Sequence, residues 1–172
     1  MIDKSTLRQR MRQVCEIIDD RSIRSVQLWV QLAELDEYHA AQTVMAFASM
    51  STEPETDGLF ARLHRDGKQL VLPRLEGGEI VPAVVSNGFT TGQWGIREPD
   101  GPSIDPTTID LVVVPGVAFT IAGDRLGHGR SYYDRFLPKL TATTVGVCFS
   151  EQIVDALPVE PHDVRLRHVL SA

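Results

Sequence analysis

The chain has 172 residues, 42% of them hydrophobic and 23% charged, with a formal net charge of −6. This is an ordinary globular composition, long enough for a single domain with a real core over residues 1–172. The acidic balance argues against a general nucleic-acid binder. No apolar run reaches the roughly 18 residues of a membrane span. Two cysteines far apart, Cys15 and Cys148, suit reduced thiols better than a disulfide framework. The opening Met-Ile-Asp-Lys-Ser lacks the apolar stretch and cleavage site of a secretory signal, so a cytoplasmic location is expected.

Residues 3–18 read as an amphipathic helix, because Leu7, Met11, Val14 and Ile18 recur at helical spacing. A second helix is expected over 22–35, with Val26, Trp29, Val30 and Ala33 on its apolar side. Residues 43–48 (TVMAFA) form a strand-length apolar run. Residues 56–66 read as helix with Leu59, Phe60 and Leu63 inward and Gly67 as the stop. Strands are expected at 69–72, closed by Pro73, and at 79–85. The Gly-, Pro- and Thr-rich stretch 86–108 reads as loop. Residues 110–114 (DLVVV) are the clearest buried strand, 131–140 read as helix, and 144–149 and 168–171 as strands. Alternation of strand and helix predicts an α/β domain with a mostly parallel or mixed central sheet and helices on both faces. Ligands of such sheets bind where loops leave the carboxyl ends of strands.

The loop after Val114 carries the chemistry. Gly127, Gly129 and Ser131 allow close backbone approach, and Arg125 and Arg130 bring positive charge into an otherwise acidic chain. Amide groups of such a loop, followed by a helix, suit a phosphate. The alternative is a plain Gly-rich turn with solvated arginines.

The stretch from Val114 to Leu137 resembles the signature of the 5-formyltetrahydrofolate cyclo-ligase (5,10-methenyltetrahydrofolate synthetase) family. It matches at Arg125, Leu126, Gly127, Gly129, Tyr132, Tyr133, Asp134 and Arg135. It departs at Ser131, where the family usually has Gly, and at Arg130, where Lys or Gly is usual. Shorter elements are also similar: Lys4 to Arg8 at the start, Glu53-Pro-Glu55-Thr56, Trp94-Gly-Ile-Arg-Glu-Pro99, and Leu157-Pro-Val-Glu-Pro-His-Asp163 near the end.

The resemblance implies an Mg²⁺- and ATP-dependent ligase that converts 5-formyltetrahydrofolate into 5,10-methenyltetrahydrofolate, with ADP and phosphate released. It assigns ATP binding to Lys4, Arg8, Arg125, Leu126, Gly127, His128, Gly129, Arg130, Ser131, Tyr132 and Tyr133. Folate falls to Ala48, Met50, Glu53, Trp94 and Tyr132, with Phe119 as a further ring wall. Arg130, Arg125 and Tyr132 are expected at the reacting atoms, and Asp134 and Asp163 at the metal. The partners expected are these small molecules alone, with no nucleic acid or membrane, and the chain is expected to act as a monomer. A phosphosugar enzyme on a similar scaffold and a non-catalytic folate- or ATP-binding relative are the alternatives. Ser131 either sits strained at positive φ or opens the following helix, where its hydroxyl would cap a free N–H or touch a phosphate; the second is expected, because Tyr132 to Leu137 reads as helix.

Overall fold

A computed structural model describes residues 3–172; Met1 and Ile2, which open the N-terminal stretch read above, lie outside the described residues. Helix α1, Lys4–Glu16, begins where the Asp3 carboxylate accepts from the amides of Ser5 and Thr6. That side chain satisfies two N–H groups that have no partner within the helix. Leu7, Met11 and Cys15 are its buried residues. Helix α2, Arg21–Ala33, buries Ser25, Leu28, Trp29, Leu32 and Ala33. Trp29 and Ala33 face inward as expected, but Val26 and Val30 do not and are exposed at 58% and 47%. The inward stripe runs through Leu28 and Leu32, which are four apart and share a helix face.

Helix α3, Asp36–Ala40, leads to strand β1, Thr43–Met45. Helix α4, Asp57–Arg65, ends as expected before Gly67, whose φ of +69° is a left-handed stop. Strand β2, Gln69–Glu76, continues through Pro73 instead of closing there. Strand β1 pairs with β2 only as far as Val71, so the missing proline N–H breaks no bond on that side. On the other side Pro73 faces Pro82 of the antiparallel β3, Glu79–Val84.

The stretch read as loop contains a small antiparallel hairpin, β4 (Phe89–Thr91) with β5 (Arg97–Pro99). Then follow β6, Leu111–Val114, and a second small pair, β7 (Ala118–Phe119) with β8 (Arg125–Leu126). Helix α5 is shorter than expected, Tyr132–Phe136, and tightens into a 3-10 turn over Leu137–Lys139. Pro138 lies in that turn and lacks the amide an α-helix would need there. Strands β9, Thr143–Cys148, and β10, His168–Ser171, complete the chain.

The main sheet has six strands in the order β10-β9-β6-β1-β2-β3, all neighbours parallel except β2 with β3. Side-chain alternation divides its core into two layers. Val44, Leu111, Val113, Val145 and Val147 face Leu28, Trp29, Leu32 and Tyr38 of α2 and α3 and Leu59 and Leu63 of α4. Met45, Val71, Val112, Val114 and Cys148 face Phe136 and Leu137. Helices therefore cover both faces, as expected. Burial pushes the Cys148 thiol up to about 12, as befits an inert core sulfur. Among the described residues, both cysteines are free and no helix is long and apolar enough to cross a membrane.

Candidate active site

The loops after β1 and β6 open at the carboxyl ends of adjacent parallel strands. The loop after β1 turns back at Met50, whose carbonyl accepts from the Glu53 amide at 3.0 Å. The Met50 amide donates to Glu53 Oε2 at 2.8 Å, so the side chain folds inward and is only 4% exposed. Its Oε1 shares a hydrogen bond of 3.1 Å with His128 Nε2. A buried carboxylate with few partners is an acceptor prepared for donors on a ligand.

Strand β8, paired with β7, carries Arg125, which lines the same cavity as this carboxylate. The Arg125 side chain is 4% exposed. One of its terminal nitrogens donates to the Pro115 carbonyl at 3.1 Å and the other to Asp134 Oδ1 at 2.9 Å. The guanidinium carbon lies 5.4 Å from the centre of the Tyr133 ring. Its Nε and the Tyr133 hydroxyl are buried without a hydrogen-bond partner among the described residues. Burial, reinforced by the Glu53 charge, pushes the Tyr133 phenol well above its ordinary value, so it stays protonated.

Between Arg125 and α5 the backbone turns through Gly129, at φ +102°, and Ser131, at φ +54°. The serine makes no side-chain cap bond, contrary to the capping role expected of it. The departure from glycine therefore falls at a left-handed position, where a side chain is strained by roughly 1 kcal/mol. Arg8 of α1 reaches across this loop and donates to the Gly127 carbonyl at 2.7 Å. One turn earlier, Lys4 bonds Asp163 at 2.8 Å and Glu160 at 2.5 Å. Burial opposes the charged form of Lys4, but the hydrogen bonds it donates to Asp163 and Glu160 outweigh that and raise the ammonium above its usual value.

These groups line two adjoining cavities. The larger, about 450 Å³, contains Ala48, Met50, Glu53, Trp94, His128, Arg130, Tyr132 and Tyr133. The smaller, about 50 Å³, is lined by Lys4, Arg8, Leu126, Gly129 and Asp163. Arg125, Gly127, Ser131 and Asp134 border both. Every expected site residue thus reaches one cavity or the other, except Phe119. That ring is fully buried beneath Gly116 and Gly146 and walls neither cavity, which corrects its expected contact with the rings. Arg130 lines only the larger cavity, its guanidinium 4.1 Å from the centre of the Trp94 ring. Trp94 is 67% exposed and holds a left-handed backbone, φ +64°, at the tip of the β4–β5 hairpin. A bulky residue in that conformation is a marker of function.

Sequence reasoning missed Arg12 and Glu98 in the larger cavity and Glu160 and His162 in the smaller. Arg12 extends the four-residue spacing of Lys4 and Arg8, a signal that was available. Glu160 and His162 lie inside the Leu157-to-Asp163 element, in which the resemblance assigns a role to Asp163 alone.

The fold and the two cavities define an α/β enzyme in which a loop bearing Arg125, Gly127 and Ser131 runs between a small polar cavity and a larger, mostly apolar chamber. The chain belongs to the 5-formyltetrahydrofolate cyclo-ligase family, whose model matches residues 1–172. It is 28% identical to a 5-formyltetrahydrofolate cyclo-ligase of Mycolicibacterium smegmatis, over 98% of this chain and 91% of that one. It is 31% identical to a probable 5-formyltetrahydrofolate cyclo-ligase of Schizosaccharomyces pombe, over 87% of this chain and 83% of the relative. The structure of Aquifex aeolicus 5,10-methenyltetrahydrofolate synthetase is similar with a TM-score of 0.89 at 31% identity, covering 98% of this chain and 89% of that one. Family membership sets aside the phosphosugar alternative.

Proposed function

We propose that this protein converts 5-formyltetrahydrofolate into 5,10-methenyltetrahydrofolate with consumption of ATP. The observation that carries the reading is the shared border of the two cavities. A polyphosphate in the smaller and a pterin in the larger would meet at Arg125, Gly127, Ser131 and Asp134. The formyl oxygen on N5 attacks the γ-phosphorus and the bond to ADP breaks. N10 then attacks the formyl carbon, loses its proton, and phosphate departs with the former formyl oxygen.

Phosphoryl transfer asks the protein chiefly for position and charge. Lys4 and Arg8 would hold the polyphosphate, and the amides around Gly127 and Gly129 would face its oxygens. Arg125 is fixed by Asp134 and Pro115, so it meets developing negative charge without having to reorganise. Glu53 would accept from the amino and N–H donors of the pterin, and Tyr132 and Trp94 would flank its ring. Arg130 would approach the transferring group from the chamber side.

The acidic groups of the smaller cavity fit Mg²⁺. Asp163 and Asp134 offer the oxygen donors a hard cation prefers, and Asp134 Oδ2 has no hydrogen-bond partner among the described residues. Glu160, His162 and Asp163 have ligand atoms within 4.8 Å of one another. When bound, Mg²⁺ would neutralise phosphate charge.

The test is ultraviolet detection of methenyltetrahydrofolate from 5-formyltetrahydrofolate, with and without ATP and Mg²⁺, together with ADP release. Methenyl formation that requires ATP and matches ADP one for one supports the reading. Product formed without ATP, or no product, refutes it and favours a non-catalytic binder.

A further inference from the structure

Lys4, Arg8 and Arg12 are spaced by four along α1 and share a face. At a rise of about 1.5 Å per residue, that row spans roughly 12 Å. Lys4 and Arg8 end in the smaller cavity, whereas Arg12 lines only the larger one, beside Ala48, Met50 and Glu53. The helix thus points a third cation away from the polyphosphate and into the ring chamber.

The other basic side chains of that chamber are engaged. Arg125 is bound to Asp134 and Pro115, Arg130 lies over Trp94, and His128 is bonded to Glu53. Arg12 is exposed and makes no hydrogen bond or ion pair among the described residues, so its fork is unspent. A pterin is neutral over most of its edge, and the acceptor set for that edge is Glu53. The part of a folate that matches a solvent-exposed guanidinium is its other end, the glutamate, whose carboxylates accept paired hydrogen bonds and stay partly in water.

Resting on the folate reading above, we propose that Arg12 is a specificity-determining residue that binds a carboxylate of the substrate's glutamyl tail. It selects folates that carry the tail over the same ring system without it. It does not touch ATP, because it is absent from the lining of the phosphate cavity.

The experiment compares wild type, Arg12→Ala and Arg12→Lys on two substrates, 5-formyltetrahydrofolate and 5-formyltetrahydropteroate, which lacks the glutamate. Wild-type turnover of the first substrate establishes the parent reading independently. Arg12→Ala should raise KM for 5-formyltetrahydrofolate roughly tenfold, with kcat and KM for ATP unchanged, and leave KM for the pteroate unaltered. Arg12→Lys should recover part of the loss, since it keeps the charge but not the fork. An equal penalty on both substrates, a raised KM for ATP, or no change in an active enzyme would each overturn the assignment.

Discussion

Asp134 Oδ1 lies 2.9 Å from an Arg125 terminal nitrogen, and the arginine side chain it holds is only 4% exposed. The carboxylate is thus the counterion of a nearly buried cation as well as a metal candidate. Asp134→Asn is expected to abolish most turnover and also to lower stability by about 2 kcal/mol, because Arg125 loses its charge partner. Urea unfolding without ligand checks this; an unchanged midpoint would show that Arg125 is held by other contacts. Asp163→Asn should chiefly raise the Mg²⁺ concentration needed for half-maximal rate.

Ser131→Gly should stabilise the nucleotide-free protein by about 1 kcal/mol, since glycine adopts the left-handed region without a Cβ penalty. For a chain of this length that is a rise of about 2–4 °C in Tm. A thermal melt that falls instead would mean that the serine side chain contributes a contact worth more than the strain.

Arg130→Ala should lower kcat/KM at least tenfold, because it removes charge from the chamber and uncovers Trp94. Lys139→Ala should stay within about twofold, since an exposed pair such as that of Lys139 with Glu79 at 3.3 Å contributes little. Steady-state kinetics on both variants decide the matter, and equal losses would count against a specific role for Arg130.

The contact of Lys4 with Asp163 and Glu160 gives a pH dependence with two edges. Burial opposes ionisation of Asp163, but hydrogen bonds from Lys4 and the Glu160 amide outweigh it and hold the carboxyl below its usual value. Stability from that shift is present above the ordinary carboxylate range near pH 4 and is lost as pH falls through the lowered value. The raised Lys4 ammonium contributes below its ordinary value and loses that contribution as pH rises through the raised one. Lys4→Met should therefore lower Tm at pH 7 but narrow its gap to wild type by pH 2. A gap independent of pH would refute the coupling.

What could be read in the sequence was what local pattern encodes. The Leu-Val-Val-Val run of β6 is buried throughout, and an uninterrupted apolar stretch is the signature of a strand covered on both faces. The β4–β5 hairpin has no such signature, since all three residues of β4 are exposed. It is held by partners distant in sequence: Phe89 lies 5.9 Å from Phe60, and Arg97 bonds Asp57 at 2.6 Å. Ser131 was misread because the helical pattern beyond it says nothing of the turn before it. Phe119 was misread because a ring in the core and a ring on a cavity wall obey the same pattern. The glycine-arginine loop was legible because its spacing is tied to chemistry, not to packing.

The two tryptophans of the chain sit in opposite surroundings. Trp29 is 3% exposed, and its indole N–H donates to the Glu55 carbonyl at 3.0 Å. Trp94 stands two-thirds in water under a guanidinium. Intrinsic fluorescence of the native protein is therefore a composite, a blue component from the core and a red, quencher-accessible one from the chamber rim. Acrylamide should extinguish the second and spare the first until the chain unfolds. A Trp29→Phe variant would leave an emission that reports chamber occupancy, and a Trp94→Phe variant one that reports the core, so ligand titration and denaturation can be followed optically without any attached label.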